Sequence, residues 1–156
     1  VAGLAARQAP APLPYLRGAP EVPDVRFTMT LTSATMRARR FEPLLLAEVA
    51  LPEALYWTPA QQLAQVTVNG ASTRPGDLIA TGTLSGPDRR TQAGSLIERT
   101  WRGAEPFDLP TGERRAFLED GDTVTIGAAA GDGTGRVGFG EVSGTVVAPP
   151  VDLYGT

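Results

Sequence analysis

Val25-Arg26-Phe27-Thr28-Met29-Thr30-Leu31-Thr32 alternates apolar and polar side chains without a break. Successive side chains of a strand point to opposite faces, so Val25, Phe27, Met29 and Leu31 share one face. Arg26, Thr28, Thr30 and Thr32 share the other. The stretch predicts a half-buried strand, and a half-buried strand needs partners. Residues 41–51 are apolar and fit either a strand or irregular structure. Downstream, Asp77 to Leu84 and Ser95 to Arg102 read as strands, the second with Leu96, Glu98 and Thr100 opposite Ile97, Arg99 and Trp101. Thr123 to Ile126 alternates again. Val137 and Phe139 share a parity that Val142 and Val146 do not, and a phase change beside Gly138 and Gly140 predicts a bulge or bend.

Turn residues separate these runs. Pro110-Thr111-Gly112 and Glu119-Asp120-Gly121-Asp122 mark turns, and the second carries the Asp-Gly signal of a tight hairpin. One helix is well marked. Thr58 caps it, Pro59 suits its first position, Gln61 completes a capping box and Asn69-Gly70 ends it. Its narrow small-residue stripe is Ala60, Leu63, Ala64 and Thr67. The fold class expected is mixed β-rich (α+β): a compact, mostly antiparallel β roll with one helix. It occupies residues 25–150. Residues 1–24, with Pro10, Pro12, Pro14, Pro20 and Pro23, form a Pro/Ala-rich extended arm, and Leu13, Tyr15 and Leu16 predict that its middle packs on something. Residues 151–156 are a tail.

Composition narrows the chemistry. The chain has 156 residues, enough for one domain with a hydrophobic core. Apolar residues make up 42% and charged residues 20%, as in soluble globular domains. The net charge of −3 supports neither a nucleic-acid nor an anionic-membrane partner. No stretch is long and apolar enough to span a bilayer. There is no cysteine, which excludes disulfides and thiolate chemistry and fits a reducing, cytoplasmic compartment. There is no histidine, so the commonest general base and metal ligand are absent. Every cation is an arginine. The chain opens on Val1 rather than Met, and the start is expected to be a cut in a longer protein.

Two segments carry candidate chemistry. In Thr81-Gly82-Thr83-Leu84-Ser85-Gly86, small hydroxyl residues beside glycines let a ligand approach the backbone and offer neutral hydrogen bonds to a carboxylate. Pattern alone favours a Thr-rich strand with a glycine turn. Glu98 lies among Leu96, Ile97 and Trp101, where a buried carboxylate would suit acid–base work. Pattern alone favours a solvated strand residue. Asp120, Asp122 and Asp132 match no cation-loop spacing, and Gly131-Asp132-Gly133-Thr134-Gly135 lacks the lysine and helix of a phosphate loop.

Read in order, longer segments say more. Pro12-Leu13-Pro14-Tyr15-Leu16, Tyr56-Trp57-Thr58, Thr67-Val68-Asn69-Gly70, Arg74-Pro75-Gly76-Asp77-Leu78 and Gly82-Thr83-Leu84-Ser85-Gly86-Pro87 occur in one series. Gly94-Ser95-Leu96-Ile97-Glu98, Trp101-Arg102-Gly103, Phe117-Leu118-Glu119-Asp120-Gly121-Asp122 and Gly138-Phe139-Gly140-Glu141-Val142-Ser143-Gly144 continue it. From residue 12 to 148 the series resembles the C-terminal portion of the fumarylacetoacetase family. Where that family commonly has two histidines on the helix, this chain has Gln65 and Val66.

The resemblance implies a hydrolase that cleaves a carbon–carbon bond of fumarylacetoacetate, a diketo acid, to fumarate and acetoacetate in tyrosine breakdown. It also implies a divalent cation, Mg²⁺ or Ca²⁺, whose ligands, like the catalytic histidine and lysine, precede the segment matched here. Two roles map onto this sequence. Thr83 corresponds to a threonine that contacts substrate, and Glu98 to a glutamate that pairs with the catalytic histidine to activate water. The expected partners are the diketo-acid substrate, the missing N-terminal part of the same protein and a second copy in a homodimer. The rival readings are another diketo-acid hydrolase or decarboxylase of the superfamily, and a non-enzymatic β binding module.

Overall fold

The computed structural model describes residues 10–17, 22–131 and 135–149. The expected tail, parts of the arm (residues 1–9 and 18–21) and Asp132 lie outside the described residues. The alternating stretch is strand β1, Val25–Thr32. On one side it pairs antiparallel with β2, Leu44–Ala50, which resolves the ambiguous apolar run as a strand. On the other it pairs with β5, Thr123–Ala130, in unbroken register from Val25↔Ala130 to Thr32↔Thr123. Strand β6, Val137–Thr145, completes a sheet of order β2-β1-β5-β6. Two short strands, β3 (Phe107–Asp108) and β4 (Arg114–Arg115), form a separate hairpin around the Pro110-Thr111-Gly112 turn.

Both long-range irregularities are bulges. Met29 pairs with Ala47 but Thr30 with Leu45, so Leu46 is an extra residue of β2. Leu46 is buried in the core with Leu31, Met36 and Leu109, and Met29, Leu44, Leu96, Phe107 and Val124 pack around them. Full burial of each large apolar side chain is worth about 1.5–3 kcal/mol. In β6 the expected phase change is present: Gly127 pairs with Glu141 and Ala129 with Gly138, leaving one extra residue beside Gly140, whose φ is +81°. At its β6 edge the sheet is uncovered. Every residue of β6 is exposed, and Val137, Phe139 and Val142 present apolar surface with Ile126 of β5.

Helix α3, Pro59–Thr67, is capped as the sequence predicts. Thr58 Oγ1 accepts from the Gln61 amide, and Gln61 Oε1 accepts from the Thr58 amide. The expected apolar stripe is not what buries it: Leu63 is exposed and Gln61 is buried. Gln61 Nε2 donates to the Leu16 carbonyl at 2.8 Å, and the Tyr15 hydroxyl donates to Gln65 Oε1 at 2.8 Å. The middle of the arm, a short turn at Pro14–Leu16, is therefore held on α3 by polar contacts. Gln65 serves as an arm contact at one of the two positions where histidine was expected.

Three sequence expectations need correction. Asp77 to Leu84 is not a strand. It pairs with no strand among the described residues and Leu78 is 95% exposed, although the sheet ends in edge strands at β2 and β6; strand-like composition does not suffice without neighbours to pack against. Ser95 to Arg102 is not a strand either. Its centre is a one-turn helix, α4, Leu96–Arg99. Leu, Glu and Arg are good helix formers, and Leu96 lies one turn from the buried Thr100, a spacing that six alternating residues disguise. The helix count also rises, since α1 (Ala34–Ala38) and α2 (Leu51–Ala54) are short helices beside α3. No helix among the described residues is long and apolar enough to cross a membrane.

A buried polar cluster joins the hairpin to the sheet. Asp122 is fully buried and receives Arg115 at 2.9 and 3.1 Å and the Glu119 amide at 2.9 Å. The Asp-Gly turn thus enters β5 without making a hairpin of its own. Next to it, Glu113 accepts from the hydroxyls of Thr111, Ser33 and Thr35 and from Arg115. Those bonds, chiefly from Thr111 and Ser33, hold the Glu113 carboxyl down from 4.5 to about 2. Its depressed value means that its stabilisation is complete above pH 4.5 and is lost as pH falls from there through about 2.

Two outcomes are expected. Asp122→Ala removes the two-pronged, fully buried partner of Arg115, leaving only Glu113 and Glu119 beside it, and lowers stability by up to about 3–5 kcal/mol, measured by urea unfolding at neutral pH. Glu113→Gln reduces stability at pH 7 and flattens its loss on acidification, read from urea midpoints across pH 2–5.

Candidate active site

Residues 82–103 fold into a loop and a one-turn helix that bring the candidate residues together. Gly82 turns the chain with φ +79° and leads into Thr83-Leu84-Ser85. The loop then closes on itself: the Gly86 amide donates to the Gln92 carbonyl at 2.9 Å, and the Asp88 amide to Gln92 Oε1 at 3.1 Å. Asp88 caps the intervening turn through the Thr91 hydroxyl and the Arg90 amide, which hold its carboxyl below the ordinary value. The Glu48 amide of β2 donates to the Thr91 carbonyl at 2.9 Å, fastening the loop to the sheet.

The returning segment of this loop passes through Gly94. A Cβ there would lie 2.2 Å from the Leu84 carbonyl oxygen and 2.8 Å from Thr83 Cγ2. Only glycine allows so close a crossing. Its amide donates to Ser85 Oγ at 3.1 Å, and the Ser85 hydroxyl donates to Glu98 Oε2 at 2.6 Å. Glu98 projects from α4 into an open depression of about 220 Å³, lined by Ser85, Gly86, Pro87, Arg89, Ala93, Glu98 and Trp101.

The C-terminal end of α4 is fixed from the side. Arg89 donates to the Arg99 carbonyl at 2.8 Å, pairs with Glu105 at 2.6 Å, and lies 5.4 Å from the centroid of the Trp101 ring. The Arg89 bond keeps the Glu105 carboxyl below its ordinary value. Trp101 and Arg102 take left-handed φ values of 49° and 59°, and the backbone bond from the Arg102 amide to the Ile97 carbonyl holds that turn at 2.8 Å. Arg99 lies over the Phe107 ring at 4.7 Å and reaches the carbonyls of Leu46 and Arg90, tying α4 to β2 and the loop. Desolvation pulls its pKa below the ordinary arginine value.

Glu98 and Thr83 are thus both linked to the Gly94 crossing, Glu98 through Ser85 and Thr83 by close approach. Glu98 borders the depression and is exposed along its edge; Thr83 touches the Gly94 crossing, is exposed, and is not among the lining residues. Sequence reasoning named these two and missed what joins them. Ser85 was in the same glycine-hydroxyl motif, and Gly94 stood in the quoted Gly-Ser-Leu-Ile-Glu run. Their contact needs the loop closure, which no local pattern reports. Arg89 carried no signal beyond a two-arginine cluster. Among the described residues no group of three or more acidic side chains is gathered to hold a metal ion.

A closed loop on an antiparallel sheet thus presents a hydroxyl-held carboxylate at a shallow depression. Residues 48–147 match the family described as fumarylacetoacetate (FAA) hydrolase C-terminal, and the chain belongs to that family. Similarity to individual proteins is extensive. It is 43% identical to the fumarylacetoacetase of Arabidopsis thaliana over 147 residues, covering 94% of this chain and 33% of that protein. To the fumarylacetoacetase of Homo sapiens it is 40% identical over 149 residues, covering 90% of this chain and 32% of that protein. To that of Caenorhabditis elegans it is 47% identical over 100 residues, 64% of this chain and 23% of that protein. The chain spans about one third of the length of the first two relatives.

Gly94→Ala is expected to push the crossing segments apart. Overpacking against backbone costs about 1–3 kcal/mol. The measurement is the thermal unfolding midpoint, which should fall, together with loss of protection of the Gly94 amide from hydrogen exchange.

Proposed function

We propose that this chain is the C-terminal portion of a fumarylacetoacetase-type hydrolase, which adds water across a carbon–carbon bond of fumarylacetoacetate to release fumarate and acetoacetate. The observation that carries this reading is similarity to fumarylacetoacetases along more than nine-tenths of the chain, through the segment that holds Glu98. In this reading Glu98 orients a histidine supplied from outside the chain and supports its positive charge as it takes a proton from water. Thr83 gives a neutral hydrogen bond to a substrate carboxylate.

The described residues do not make a metal cage. The proposed cation, Mg²⁺ or Ca²⁺, belongs to carboxylates elsewhere in the protein. The uncovered apolar surface of β6 and Ile126 agrees with a chain that shares its core with another part of the protein or with a second copy. A homodimer and a cytoplasmic setting complete the proposal, the latter in keeping with the absence of cysteine.

In the intact protein, Glu98→Gln keeps the shape and removes the charge. Its kcat on fumarylacetoacetate is expected to fall roughly 10²–10⁴-fold with KM little changed. Thr83→Val is expected to raise KM instead, by the roughly 0.5–3 kcal/mol of a lost hydrogen bond. The isolated 156-residue chain is expected to show no hydrolysis with added Mg²⁺ or Ca²⁺. Turnover by that chain that survives repurification, or full activity of Glu98→Gln, would overturn the assignment.

A further inference from the structure

We infer that Ser85 is a positioning residue for the Glu98 carboxylate, and that the Gly94 amide sets the direction of its hydroxyl. The inference rests on the reading of Glu98 proposed above and assigns Ser85 a part in it. A serine hydroxyl has one proton and two lone pairs. The Gly94 N–H occupies a lone pair at 3.1 Å, and the proton is directed to Glu98 Oε2 at 2.6 Å. A short bond from a hydroxyl to a carboxylate is among the stronger hydrogen bonds of proteins.

The geometry makes this bond more than a surface contact. Glu98 stands on a helix of one turn, which has too few internal bonds to hold a long side chain in place by itself. Its carboxylate is exposed at the edge of the depression, where water competes for it and several rotamers are open. Ser85 selects one of them. Ser85 is itself held, because Gly94 crosses Thr83 and Leu84 too closely to admit any side chain. The same crossing therefore sets both the hydroxyl that holds Glu98 and the segment that presents Thr83. Oε1 has no partner among the hydrogen bonds of the described residues that involve Glu98, so one carboxylate oxygen is anchored and the other carries no such bond.

The test uses the intact protein and fumarylacetoacetate, with kcat and KM measured for wild type, Ser85→Ala, Ser85→Cys, Ser85→Thr, Glu98→Gln and the double variant Ser85→Ala/Glu98→Gln. Ser85→Ala should lower kcat about 10–100-fold with KM little changed, the effect of losing a hydrogen bond to a charged group. Ser85→Thr keeps the hydroxyl and should restore most of the rate. In the Glu98→Gln background the same Ser85→Ala change should have little further effect, because residues that act as a unit are not additive. Ser85→Cys keeps the size but is a weak donor, and should lose rate like Ser85→Ala even if the alanine variant folds poorly.

Equal kcat losses from Ser85→Ala in both backgrounds, or a fully active Ser85→Cys, would overturn the inference while leaving Glu98 in its role. A fully active Glu98→Gln, or a wild-type protein without turnover, would overturn the functional reading and this inference with it.

Discussion

Arg115 is withdrawn from water, and its guanidinium is met on one side by Asp122, which is fully buried, and on the other by Glu113 and Glu119. A buried charge left alone is costly, so the groups that neutralise it must arrive together. That requirement joins parts distant in sequence. Glu113 brings the β3–β4 turn and, through Ser33 and Thr35, the start of α1. Asp122 brings the turn that starts β5, and β5 then pairs with β1 along its whole length. The apolar cluster of Leu31, Met36, Leu46 and Leu109 closes over the same junction. Hydrophobic burial supplies most of the stabilisation, but it has no direction. The ion pairs and hydroxyl bonds supply direction, and they decide how the hairpin sits on the sheet.

The candidate site hangs from this frame by fewer contacts. The Glu48–Thr91 backbone bond and Arg99 reaching Leu46 fasten the loop and α4 to β2. Within the loop a single close crossing at Gly94 brings Ser85 to Glu98. The depression it forms is shallow and open, and the anchored carboxylate at its edge is left exposed. The sheet shows the same exposure on a larger scale, since the apolar side chains of β6 end in open surface.

What could be read from the residues follows their range of interaction. Strand β1 was legible because alternation over eight residues reports burial on one face. The cap of α3 was legible because Thr58, Pro59 and Gln61 act on one another within a single turn. The β6 bulge showed as a change of parity beside glycine. Asp77 to Leu84 misled because its composition suits a strand while, among the described residues, it packs on no sheet and Leu78 stays exposed. Glu98 misled for a related reason: alternation across Ser95 to Arg102 imitates a strand, whereas i to i+4 bonds from Ser95 and Leu96 make a helix turn.

The sequence by itself determined the strand-rich class, the helix cap, the position of the second bulge and the family to which the chain belongs. Each of these is either local in its physics or carried by the order of short motifs along the chain. The tertiary structure alone decided that Gln61 rather than the small-residue stripe faces the arm, and that Asp122 is half of a buried ion pair instead of a turn residue in water. It also decided that Ser85 meets Glu98 across thirteen residues. A hydrogen bond or ion pair between distant residues has no periodicity, and its partners are chosen only when loop closure and burial bring them within about 3 Å of each other.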